Sequence, residues 1–286
     1  MGQHKTNPIA IKASNGEISP KPPQMSKAKC NKLLYSICSK IISFPITEFV
    51  EETEVNSKTQ KEWLNIKVLE LFAGTRSIGK AFETKGHEVY SVEWNKEFEN
   101  IDLYDDIMNV TAEQIIQNFG HPDVIWASPD CTTFSIAAIS HHRKKNPETG
   151  NLDPISDYAK FCDKVDQHVL DLIRELNPTY YFIENPRGGM RKMTWMQGIP
   201  RYTVTYCQYG DTRMKPTDIW TNHPNPKFKP PCKNGDSCHT SAPRGSKTGT
   251  QGLKGSVERS IIPTELCNHI VDICEEWQQF GVPETT

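Results

Sequence analysis

The chain has no apolar run near the ~20 residues that span a bilayer, and residues 1–20 lack the apolar centre of a secretory signal. Its nine cysteines are an odd number (Cys30, Cys38, Cys131, Cys162, Cys207, Cys232, Cys238, Cys267 and Cys274) and follow no regular spacing. That argues against a secreted disulfide framework. A soluble, cytoplasmic protein with free thiols in a reducing setting and no membrane partner is the expectation. Strong net charge is also missing, at −2. The average hides an asymmetry, since residues 121–260 hold 19 Lys/Arg against 14 Asp/Glu. The basic residues gather in loops at 141–145, 187–192 and 244–254, which suits a polyanionic partner.

With 286 residues and 36% apolar content, the chain can bury one substantial core beside a small appendage. Residues 1–25 are polar and proline-containing and read as disordered. Residues 26–62 complete an N-terminal extension. From residue 63, strands and helices alternate: strands at 66–72, 88–93, 124–127 and 179–183, and helices at 77–84, 111–119 and 156–176. Such alternation predicts a parallel sheet covered by helices, with ligands bound outside the carboxyl ends of the strands. Residues 210–220 lead into a sheet-edge hairpin. Residues 222–257 are rich in proline and glycine and read as loop, and a last helical pattern after Pro263 returns to the sheet.

Four features fall at the carboxyl ends of predicted strands, at Gly74, Glu93, Cys131 and Glu184. Leu69 to Gly79 is a strand, a glycine turn and a helix start, where a cofactor can approach the backbone. About 20 residues on, Glu93 can accept hydrogen bonds from ribose hydroxyls, Trp94 offers a flat face to an adenine, and Asp105-Asp106-Ile107 adds an acidic turn. Cysteine is usually a small buried apolar residue. Cys131, however, sits in Ser128-Pro129-Asp130-Cys131-Thr132-Thr133-Phe134-Ser135, just past a buried strand and before a basic loop, a setting for a nucleophilic thiolate. Glu184-Asn185-Pro186, followed by Arg187-Gly188-Gly189, brings a carboxylate to the next strand end. A thiol and an acid on adjacent strand ends suggest a single site.

These motifs resemble those of the cytosine-5 DNA methyltransferases across about residues 66–221 and again near the C-terminus. The resemblance implies a Rossmann-like, S-adenosylmethionine-dependent methyltransferase fold, α/β, with a mostly parallel sheet and a small loop-rich appendage. It assigns the cofactor to Phe72, Ala73, Gly74, Thr75, Glu93, Trp94, Asp106, Ile107 and Pro129. Catalysis falls to Cys131 as nucleophile, Glu184 as the acid that engages the ring, and Arg213. The partner implied is double-stranded DNA with a flipped cytosine, contacted through Ser135, Arg143, Lys144, Lys145, Arg187, Lys215, Arg244 and Lys247, and the enzyme is expected to act as a monomer. The domains implied are an extension (1–62), a catalytic domain (63–221), a recognition segment (222–257) and a return helix (258–286).

The chain departs from the family at several points. Asp130 replaces a proline and puts a carboxylate beside the thiol, which raises the thiol pKa. Arg76 stands where a second glycine is common, and the family's Gln-x-Arg-x-Arg survives only as Arg213-Met214-Lys215. The recognition segment has about 36 residues, far fewer than is usual for the family. That leaves open the same chemistry on RNA or a free cytosine nucleotide, or a non-catalytic nucleic-acid-binding protein on a decayed methyltransferase fold. Such economy suits a phage or a restriction-modification element. Cys232, Cys238 and His239, with His223 upstream, are weak zinc candidates, since the gap between the cysteines exceeds the usual spacing. No firm metal site is expected.

Overall fold

In the computed structural model, residues 65–241, 253 and 255–280 are described. The N-terminal extension at 1–62, Arg244 and Lys247 lie outside them. Nine strands form in chain order: β1 (Lys67–Leu71), β2 (Glu88–Glu93), β3 (Leu103–Tyr104), β4 (Val124–Ala127), β5 (Arg143–Lys145), β6 (Leu152–Pro154), β7 (Tyr180–Pro186), β8 (Arg201–Thr205) and β9 (Pro216–Thr221). The helices are α1 (Ser77–Thr84), α2 (Ala112–Asn118), α3 (Ile139–His142), α4 (Asp157–Leu176), α5 (Ser256–Ser260) and α6 (Thr264–Phe280). Among the described residues no helix is long and apolar enough to cross a membrane.

Seven strands make one sheet in the order β3-β2-β1-β4-β7-β9-β8. Every pairing from β3 to β7 is parallel, and β9 alone runs against both of its neighbours. Because side chains alternate along a strand, the sheet feeds two cores. Leu69, Leu71, Ile125, Ala127 and Ile183 pack under α2 and α4, whereas Val68, Val124, Trp126 and Phe182 pack against α1 and α6. The order reverses at β1 and β4, and there the carboxyl ends open a crevice.

Local chemistry sets the element ends. Ser156 caps α4 by accepting from the Ala159 amide at 3.1 Å, and Asn177 ends it in the left-handed region at φ 44°. Arg76, at φ 57°, takes a conformation that glycine adopts freely, and its buried guanidinium pairs with Glu83. The left-handed turn thus forms here without a glycine at position 76. The second glycine of the run, Gly79, leaves room for the buried Glu70 carboxylate, which a methyl group there would approach to 2.5 Å. Burial pushes the Glu70 pKa up to about 7.

The hairpin of β5 and β6 was not anticipated, because Arg143-Lys144-Lys145 carries no apolar alternation. Nor was β8, which makes the sheet edge, so that β9 lies inside the sheet.

Candidate active site

A cavity of about 330 Å³ opens at the ends of β1 and β2, lined in part by Phe72, Glu93, Trp94, Asp106 and Ile107. Glu93 is buried; its carboxylate accepts from the amides of Gly74 and Asn95, each at 3.0 Å, and so is fixed at the cavity wall. Trp94 is 70% exposed, and Asp106 caps a short turn by accepting from the Met108 amide at 3.0 Å. Ala73, Gly74, Thr75 and Pro129 do not line the cavity but shape the strand-end loops, with Gly74 at φ 49°. The opposite wall, unassigned from sequence, comes from α4: Tyr158, Phe161, Cys162, Val165 and Asp166. Burial holds the Asp166 pKa well above the carboxylate range, and its Oδ2 has no partner. An apolar slot with a fixed carboxylate and an orphaned acid fits a nucleoside carrying a cationic arm, such as S-adenosylmethionine.

Beside this cavity, the turn after β4 begins at Cys131, and Glu184 projects from β7. The two loops are tied together: Asn185 Nδ2 donates to the Pro129 carbonyl at 3.0 Å, and the Gly189 amide donates to Phe134 O at 2.7 Å. At Gly188 any side chain would collide with that same Phe134 carbonyl. Glu184 is buried and accepts from the Tyr206 hydroxyl at 3.2 Å. Its pKa lies above the usual range because of burial, with Lys215 opposing.

The Cys131 thiol is pushed up to about 11, first by burial, then by Asp130 and Glu184, with Lys215 again opposing. Asp130 also has a structural task, since Oδ1 accepts from the Thr132 amide at 2.7 Å and closes the turn that presents the thiol.

The cation at this site is Lys215 rather than Arg213. Lys215 is buried, donates to the Arg259 carbonyl at 2.8 Å, and sits 4.4 Å from the Tyr206 ring centroid. Burial pulls its pKa below the lysine range, while Glu184 and Cys131 oppose. Arg213 is instead held by Asp211, with Nε 2.9 Å from both carboxylate oxygens.

Arg143, expected on the nucleic-acid face, is buried. It pairs with Asp163 at 2.6 Å, donates to Thr133, and lies 4.0 Å from the Phe134 ring centroid. A guanidinium so enclosed is unavailable to phosphate; it braces the cysteine loop. Lys144, Lys145 and Arg187 are exposed, and Ser135 is half-buried in the cysteine loop.

His223 is also corrected. It lies buried in the core, accepts from the Asn225 amide at 3.2 Å, and its ring centroid is 4.6 Å from that of Tyr180. Cys232, Cys238 and His239 do converge, but on Cys207. Tyr206, Asp166 and Cys207 carry no motif that marks them in the sequence, whereas Asn185 lies inside the Glu184-Asn185-Pro186 motif and only its tie to the cysteine loop is new.

The strand order, with one antiparallel strand inside the far half of a parallel sheet, is that of the Rossmann-like S-adenosylmethionine-dependent methyltransferases. No family model matches the chain. The probable DNA (cytosine-5)-methyltransferase of frog virus 3 (isolate Goorha) is 27% identical over 227 residues, covering 73% of this chain and all of the viral protein. The chain thus resembles the cytosine-5 methyltransferases. Among solved structures, a mutant DNMT2 from Spodoptera frugiperda is 17% identical with a TM-score of 0.38, over 55% of this chain and 49% of that one. A SAM-dependent methyltransferase from Agrobacterium tumefaciens is 15% identical with a TM-score of 0.32, over 59% of this chain and 61% of that one.

Proposed function

We propose that this protein methylates carbon 5 of cytosine in DNA through a covalent adduct on Cys131. The observation that carries the reading is the meeting of a thiol, a buried acid and a buried cation at Cys131, Glu184 and Lys215, beside the cavity lined by Phe72, Glu93 and Trp94. Phe72, Glu93, Trp94, Asp106 and Ile107 would hold S-adenosylmethionine, which when bound supplies an electrophilic methyl group. DNA as substrate follows the name of the viral relative.

Carbon 5 of cytosine is too weak a nucleophile to take a methyl group unaided. The Cys131 thiolate forms a bond to carbon 6, and Glu184, whose pKa burial raises, donates from its carboxyl to ring nitrogen 3 and so stabilises the negative charge that builds up there. Carbon 5 is then nucleophilic and would take the methyl group from the cofactor's sulfonium, which would leave as a neutral thioether. Loss of the carbon-5 proton to water restores the ring double bond and breaks the bond between carbon 6 and the Cys131 sulfur, returning the thiolate.

The resting thiol is protonated at neutral pH, so its proton must leave first, and Lys215 is the nearby charge that favours the thiolate. Residues 63–221 and the return helix at 258–286 form the catalytic unit, and 222–257 serve as the recognition segment. The target base leaves its stack, at a cost of roughly a few kcal/mol, and Ser135, Lys144, Lys145 and Arg187 contact the strand around it.

The test is methyl transfer from labelled cofactor to duplex DNA, RNA of the same sequence and dCMP. Label on cytosine carbon 5 of the duplex, at least about tenfold above the other two, supports the reading. Preference for RNA or dCMP moves the same chemistry to that substrate. Binding to DNA without turnover on any of the three would make the protein a non-catalytic binder.

A further inference from the structure

We propose that Cys207, Cys232, Cys238 and His239 bind one structural Zn²⁺ that fastens the recognition segment to the edge of the sheet. The site is remote in kind from the methyl-transfer chemistry and stands or falls independently of it. Cys207 lies in the turn that follows β8, while the other three come from the loop after β9.

Their four ligand atoms all lie within 4.8 Å of one another. Cys207 Sγ is 3.6 Å from Cys238 Sγ, and His239 Nδ1 is 3.7 Å from Cys232 Sγ and 3.5 Å from Cys238 Sγ. Zinc–sulfur bonds of about 2.3 Å at tetrahedral angles set ligand atoms roughly 3.7 Å apart, so these three edges already have the span of a tetrahedron around zinc. A fourth edge, Cys207 to Cys232, is 3.0 Å, shorter than that span and well beyond the ~2.05 Å of a disulfide.

The donor set selects the metal. Three thiolates and an imidazole suit Zn²⁺, and four protein ligands close the shell, as in structural rather than catalytic sites. Nearby groups hold the ligands in place: the Cys232 amide donates to Thr205 Oγ1 at 3.0 Å, and Gln208 Nε2 reaches Cys238 Sγ at 3.5 Å. A disulfide between any two of the cysteines would leave the third thiol and the imidazole packed together with nothing to join them.

The placement explains what the ion does. From residue 222 to 241 no helix or strand forms, and a stretch of this kind buries too little apolar surface to fix itself. Immediately after His239, the Thr240 amide donates to the Thr212 carbonyl at 2.8 Å, three residues before Lys215. Zinc therefore braces both the segment proposed to read the substrate and the turn that leads to the active-site lysine.

The experiment is elemental analysis of the purified full chain, with a Co²⁺ titration of the metal-stripped wild type. Expected are about one zinc per chain and, with cobalt, the intense thiolate charge-transfer and tetrahedral d–d bands, bleached when zinc is added. Cys207→Ser should drop below about a tenth of the wild-type zinc while Cys131→Ser retains it. The wild-type cobalt spectrum decides the matter even if Cys207→Ser does not fold. Zinc far below one per chain with no tetrahedral cobalt spectrum would overturn the proposal. So would a Cys207→Ser variant that keeps its zinc, or recovery of a Cys207–Cys232 disulfide from protein purified under argon.

Discussion

The two halves of the sheet build their parts of the site in different ways. In the half formed by β1, β2 and β3, each wall residue follows directly on its own strand: Phe72 after β1, Glu93 at the end of β2, and Asp106 just past β3. In the half formed by β7, β9 and β8, the groups around Glu184 arrive from elsewhere, with Tyr206 from the turn after β8 and Lys215 from the turn before β9. The first half is assembled by local chain order, the second by strand pairing. Substitutions in the first should weaken cofactor binding, and those in the second should slow the chemical step.

Glu184→Gln attacks the second half most directly. It keeps a hydrogen-bonding side chain but removes the acid, and a loss of about 10²–10⁴-fold in kcat is expected with little change in cofactor affinity, measured by single-turnover methylation. An equal fall in affinity would erase the distinction between the halves. Lys215→Gln comes next. Without this cation both the Cys131 thiol and the Glu184 carboxyl lose a charge that opposes their upward shifts. The thiolate is then reached only at higher pH, so kcat should fall roughly 10–100-fold near pH 7.5 and its rising limb should move to higher pH. A change in the Michaelis constant for DNA alone would return Lys215 to a phosphate contact.

Glu93→Gln probes the first half, where the expectation is a drop of about tenfold in cofactor affinity by calorimetry with kcat nearly intact at saturation. Asp130→Asn should have the smallest effect. The amide retains an acceptor for the Thr132 amide but removes a negative charge that raises the thiol pKa. Since Asp130 is exposed and screened, alkylation of Cys131 by iodoacetamide at pH 8 should quicken by only about two- to fivefold. Slower alkylation would mean that the carboxylate acts chiefly by shaping the turn.

The same contrast explains what could be read from the sequence. The alternation of strands and helices was legible, as the identical bounds of α1, β2 and β4 attest, because buried parallel strands are short apolar runs separated by amphipathic helices. The cavity residues following β1 and β2 were legible for the same reason. The α4 wall was not, since Asp166 and Val165 look like ordinary helix positions until the helix is laid over the crevice.

Cys207, and the place of Lys215 beside Glu184 rather than on a DNA-contacting loop, were hidden by the unread strand β8. Its sequence, Arg201-Tyr202-Thr203-Val204-Thr205, shows only a weak alternation, and without it the hairpin that carries both residues to their partners has no visible frame. Arg143 misled for the opposite reason. It belongs to a run of basic residues that reads as a solvated loop, yet Asp163, about two turns into α4, takes its charge inward.

The central claim is that Cys131 forms a bond to the cytosine ring. Duplex DNA carrying 5-fluorocytosine blocks the final proton loss and traps that bond. Wild-type protein incubated with this DNA and S-adenosylmethionine should give a complex that survives denaturing electrophoresis, and Cys131→Ser should give none. A wild type that methylates ordinary DNA without forming the complex, or a Cys131→Ser variant that traps equally well, would contradict the account.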